Sequence, residues 1–206
     1  TIVYGLLDHS ETTHYIKITK AFLSETNIYL AAQDPANSQY PAEDIEVWLE
    51  EWDENGVFRQ TIYLDTTLIT NKDEGDFYFP SQILYKTADN TILNNFYTYK
   101  LFIKNKVSGK LIDSETNLIG NTRLMKPGEN TKSLSLTGLY PNDLKWVNGE
   151  NGLIYDISFR FFYTEIYQGD TTSKYIDWEQ AQVRGTSTSG VATLNSSYFG
   201  PSYYNF

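Results

Sequence analysis

Residues 44–66 read DIEVWLEEWDENGVFRQTIYLDT. Asn55-Gly56 lies between two runs in which apolar and polar residues alternate, the strongest short-range signal for a β-hairpin. Side chains alternate between the faces of a strand. Ile45, Val47 and Leu49 therefore share one face and are expected to meet Phe58, Ile62 and Leu64 on the returning strand. With a loop of either two or four residues, each pair joins an odd to an even position, so the opposite face collects Trp48, Glu50 and Trp52 with Arg59, Thr61 and Tyr63. Two indoles and a phenol on a face that should be wet mark it as a candidate binding surface.

The same alternation extends in both directions. HYIKITKAF (14–22) places Ile16 and Ile18 inward and Tyr15, Lys17 and Thr19 outward, and the apolar run TIVYGLL (1–7) is its hairpin partner. SETNIYLAAQD (24–34) offers N-caps at Ser24 or Thr26 and a compact apolar set stopped by Asp34-Pro35, which predicts one short helix. A strand within 77–87 is interrupted by Pro80, which suits an edge or a bend. FYTYKLFIK (96–104) turns at Ser108-Gly109 into 110–119 as a second hairpin. A tyrosine-rich strand, turn and return strand near the end of a ~120-residue unit is how an immunoglobulin-like β-sandwich closes.

Residues 121–132 are polar, contain Pro127-Gly128 and show no periodicity, so they read as a linker after a first domain over 1–120. Beyond it, 133–206 form a second, incomplete β domain or an extension of the sandwich. Its densest strand is LIYDISFRFFYTEI (153–166), with Tyr155, Ile157, Phe159, Phe161 and Tyr163 on one face, and Gly169-Asp170 turns it back into 173–183. A tail with Tyr198, Phe199, Tyr203, Tyr204 and Phe206 completes either a core or a surface.

Composition agrees with an all-β chain: among 206 residues there are 17 Tyr, 11 Phe and 4 Trp, types that favour strands. A formal charge of −10 opposes binding to nucleic acid and to anionic lipid. Without cysteine, neither disulfides nor thiolate metal sites exist. His9 and His14, with Glu11 between them, match no zinc spacing and read as surface imidazoles, so a histidine-based triad has little to draw on. Asp73, Glu74 and Asp76 gather oxygen donors in NKDEGD but lack the EF-hand spacing and read as solvated turn carboxylates. No phosphate loop or dinucleotide fingerprint is present, and no cofactor or metal is expected. The candidate site is therefore the hairpin face of Trp48, Trp52, Arg59, Tyr63 and Glu50, unless the 24–34 helix or a neighbouring domain covers it.

The opening IVYGLLDHSETTHYIKITKAFL, IYLAAQDPANSQY, the DIEVWLEEW hairpin and YTYKLFIKNKVSGKLIDSETNLIG together resemble the uncharacterised surface lipoproteins of Bacteroidota, and the likeness runs on through YDISFRFFYTEI and KYIDWEQ. In that family a lipidated cysteine precedes a strand like VYGLLD and immunoglobulin-like domains follow. The resemblance implies a protein of the cell envelope, at the outer-membrane surface or in the periplasm, held by a lipid anchor that this chain lacks. It also implies an accessory role in an outer-membrane assembly, or adhesion. The expectation is a non-enzymatic module that binds an envelope protein; the alternative is a carbohydrate-binding module that lays glycan rings on the indoles.

Overall fold

The computed structural model describes residues 1–25, 27–128, 130, 144–179, 182–185 and 191–194, in two compact units, Thr1–Ile119 and Gly120–Phe206. The first unit contains β1 (Ile2–Leu6), β2 (Tyr15–Thr19), β3 (Ile45–Trp52), β4 (Phe58–Ile69), β5 (Gln82–Lys86), β6 (Thr98–Asn105) and β7 (Leu111–Asn117). All pairs are antiparallel, in the order β1-β2-β5-β4-β3-β6-β7. That order is the ABED and CFG layers of an immunoglobulin-like sandwich joined end to end.

The join is β4. Its first part, to Leu64, pairs with β3, and Asp65–Ile69 pair with β5. The ribbon doubles over there: Ile16 and Ile18 of β2 and Tyr85 of β5 pack in one cluster with Ile45, Val47 and Leu49 of β3 and Ile103 of β6. β2 shares no ladder with β3 or β6, so these contacts cross between layers. The strict alternation of 45–52 produces this directly, burying Ile45, Val47 and Leu49.

Several expectations are corrected. The helical segment is two short helices, α1 (Ile28–Ala32) and α2 (Pro35–Ser38), and the first N-cap is Asn27, whose side chain accepts from the Tyr29 N–H. Pro35 opens the second helix, capped by Asp34, because proline at the first helical position gives up only an N–H that has no intrahelical partner. Pro80 lies ahead of β5, so that strand sits between β2 and β4 with its ladder intact. His14 is buried, not on the surface; its Nε2 lies 3.2 Å from the Thr91 carbonyl oxygen, and its backbone N–H donates to Thr87 Oγ1.

In the second unit the strands are β8 (Arg123–Lys126), β9 (Leu144–Val147), β10 (Ile154–Tyr155), β11 (Ser158–Tyr167), β12 (Asp170–Glu179), β13 (Val183–Arg184) and β14 (Val191–Leu194). β8 falls inside the stretch read as a linker and pairs with β9, which also pairs with β14. The strand expected over 153–166 is broken at 156–157 into β10, which pairs with β13, and β11, which pairs with β12. The β11–β12 turn is Gln168-Gly169, both at positive φ. A small core gathers Tyr155, Ile157, Phe159 and Val183 around the buried Trp146. The aromatic cluster 198–206 and residues 133–143, at the start of the expected second domain, lie outside the described residues. Among the described residues no helix is long and apolar enough to cross a membrane.

Candidate functional site

The predicted aromatic face exists, with one change in its membership. Val47↔Leu64, Trp48↔Tyr63, Leu49↔Ile62, Glu50↔Thr61 and Glu51↔Gln60 follow the expected register, but Trp52 pairs with Phe58 across a bulge. Arg59 is the extra residue. The cause is the loop, which has three residues: Gly56 N–H donates to the Asp53 carbonyl, Gly56 adopts φ 72°, and Asp53 N–H donates to the Val57 carbonyl. A type I turn closed by a left-handed glycine demands that geometry. Phe58 thereby moves from the expected core face to the outer face, where it makes a T-shaped contact with Trp52 at 5.6 Å.

Asp53 holds this end of the hairpin. Its buried carboxylate accepts the N–H groups of Asn55 and Val57, each at 2.9 Å, and the Arg59 guanidinium. The Val57 N–H above all, with Arg59 and Asn55, holds the Asp53 carboxyl below its ordinary value against the opposing effect of burial. Arg59 is thus tied to the turn through one guanidinium nitrogen, while its side chain stays half exposed.

The other nominated residues form a row across three strands. Trp48 stacks on Phe102 of β6, with centroids 5.3 Å apart and planes 12° from parallel, and meets Tyr63 of β4 at 6.5 Å on the neighbouring strand. Parallel rings this close must lie face against face, since coplanar rings would collide at their rims. The indole therefore stands on edge. Trp52 has the Lys100 ammonium 4.6 Å from its ring centroid, and its Nε1–H donates to Glu50 at 3.1 Å. Lys100 in turn lies 3.7 Å from Glu115 of β7. Trp48 and Trp52 are half-buried, whereas Tyr63 is 63% exposed. α1 and α2 do not take the covering position once considered for them: Gln33, just after α1, donates to the carbonyls of Gly75 and Asp76, and the Ala32 carbonyl accepts from Tyr78. Those same contacts tie down the acidic loop, whose Asp73, Glu74 and Asp76 side chains are exposed.

Behind this face lies a polar contact that alternation conceals. Glu51 occupies an inward position and is buried, accepting from the Tyr99 hydroxyl at 2.6 Å and from Gln60 at 2.8 Å. Burial first, and then this bond to Glu51, push the Tyr99 phenol well above its ordinary range.

Two cavities of the first unit escaped sequence reading. One, of about 280 Å³, brings Lys17, Lys20 and Lys72 beside Tyr4, Phe77 and Tyr78. Burial, then the proximity of Lys17, lower the Lys72 pKa. The other lies between β1 and β7. Both collect residues far apart in sequence, which no local pattern reveals. Comparison with protein-family models, curated proteins and solved structures finds no match to this chain.

Proposed function

We propose that the protein is a non-enzymatic binding module of the cell envelope whose outer β3–β6 face docks a protein partner. One observation carries this reading over the glycan alternative: each indole already has one π face filled, Trp48 by Phe102 and Trp52 by Lys100, and a further ring beside it, Tyr63 at 6.5 Å and Phe58 at 5.6 Å, so neither presents a free flat platform. A sugar ring needs an open, flat aromatic face. What this surface offers instead is a ridge of ring edges with exposed Tyr63 and Phe58 beside Glu50, Lys100 and Glu115, the mixture of aromatic anchors and charge found at protein interfaces. The envelope location is supported by the resemblance to Bacteroidota surface lipoproteins, in which a lipid anchor would hold the full-length protein.

The test is reconstitution. A partner captured from an envelope fraction and then purified should bind wild-type protein, and the Trp48→Ala/Tyr63→Ala double variant should weaken that complex by about 30-fold or more, the loss of ~2 kcal/mol typical of a hot spot. A glycan array probed with the same proteins should stay silent. Glycan binding abolished by Trp48→Ala would replace this reading with the carbohydrate one.

A further inference from the structure

The strand order leaves β1 and β7 at the two ends of the hydrogen-bonded series, each paired on one side only among the described residues. Between them lies a cleft of about 380 Å³. Every residue from Ile112 to Ile119 lines it, as do Gly5, Leu6 and Leu7 in succession. A strand seen face-on presents every second residue, so consecutive lining means that the wall is the strand's own edge. The cleft is thus walled by the edges of β1 and β7, which carry no further ladder among the described residues, and floored by apolar side chains that include Ile16, Leu49, Leu101 and Ile103.

Local sequence explains why the floor is uncovered. The inward positions of β7 opposite Leu101 and Tyr99 are Ser114 and Thr116, too short to reach across. On the other side, Gly5 pairs with Ile16, whose Cδ1 would lie 2.3 Å from a Cβ at position 5, so β1 contributes no side chain here and Ile16 fills that space. The outer face beside β7 carries the exposed carboxylates of Asp113 and Glu115.

We propose that this cleft is an acceptor site for an extended β-strand of a partner protein, apolar on the side that enters and basic on the side that faces out. The main chain of that strand pairs with the free edge of β7. Its inward side chains cover Leu101 and Ile103, and its outward lysine or arginine side chains sit beside Asp113 and Glu115. Backbone pairing supplies affinity and alternate side chains supply selectivity, as in strand addition to any open sheet edge. A length of about seven residues, roughly 23 Å, matches β7. This site adjoins the aromatic face and shares Glu115 with it, but strand addition at the β7 edge does not require a partner on that face.

The probe is a fluorescein-labelled peptide, KVTIKVT, added to the full chain. Fluorescence anisotropy should show saturable binding, and hydrogen exchange should show new protection of amides within 112–117. The scrambled peptide VVIKKTT and a version of KVTIKVT methylated at alternate backbone nitrogens should each bind at least tenfold more weakly. Ser114→Trp, which plugs the cleft from an exposed position, should weaken binding at least tenfold, and Asp113→Asn with Glu115→Gln about threefold. The two control peptides are read on the wild-type protein, so the proposal stays testable even if Ser114→Trp fails to fold. It is overturned by absence of binding, by equal binding of the scrambled peptide, or by protection confined to β3 and β6. Concentration-dependent protection of β7 without peptide would also overturn it, by making the occupant a second copy of this chain.

Discussion

Two hairpins rich in aromatic residues, β3–β4 and β11–β12, start from similar sequence and reach different surroundings. β3 is flanked by β4 and β6, and a second layer lies over its inner face, so Val47 and Leu49 are each only 1% exposed. β11 and β12 form a two-stranded sheet in which the expected apolar face is only half-buried at Phe159 and Phe161, and the opposite face leaves Phe162 at 78% and Ile166 at 74% exposed. Alternation decides which side chains share a face; whether that face is buried depends on neighbours that come from elsewhere in the chain. The second hairpin relies on cross-strand contacts instead: Arg160 grips Asp177 through two bonds of 2.6 and 2.8 Å and lies over the Tyr175 ring, and Lys174 reaches Glu165. Exposed pairs of this kind contribute ~0–1 kcal/mol each.

The comparison breaks first on core truncation. Leu49→Ala should cost ~2–5 kcal/mol in urea unfolding, because it leaves a cavity between layers, whereas Phe162→Ala should cost under ~1 kcal/mol. Equal losses would mean that the β11–β12 face is packed after all. Next in size, Tyr99→Phe should cost ~2 kcal/mol by removing a donor from the buried Glu51 carboxylate. No polar contact of β11–β12 is buried in this way among the bonds described, so Arg160→Ala should cost less than half as much.

The smallest effect concerns the turns, and its sign follows from the lowered Asp53 pKa. A carboxyl whose folded pKa lies below its unfolded value adds stability that is complete above the unfolded value and lost as pH falls through the folded one. Asp53→Asn should therefore melt below wild type at pH 7, by an amount that stays level down to about pH 5 and shrinks below the ordinary carboxylate value of 3.8. The β11–β12 turn rests on positive φ at Gln168 and Gly169, and Gln168→Gly should change stability by under ~1 kcal/mol.

Much of the first unit was legible because its signals are local. The alternation of 45–52 and 15–19 names the buried residues, and the Asn55-Gly56 pair marks the turn. The bulge was not legible. A three-residue loop and a four-residue loop share the same glycine, and only the backbone bonds of Asp53 decide between them, so Phe58 falls on the outer face instead of the expected core face and Arg59 becomes the bulged residue. Of the candidate site, Trp48, Trp52, Tyr63 and Glu50 are brought together as expected, but their stacking partner Phe102 and the cation Lys100 come from a strand about fifty residues later. The β1–β7 cleft was out of reach for the same reason: Gly5 and Ser114 look unremarkable until the topology sets their strands at opposite ends of one ribbon.

The shared strand β4 limits how this unit can change over evolutionary time. Its two halves keep register with different layers, and one added or deleted residue reverses the orientation of every side chain beyond it. An insertion near Leu64 would leave one layer intact and turn the other inside out. The residue count of β4 is held constant by two independent alignments at once.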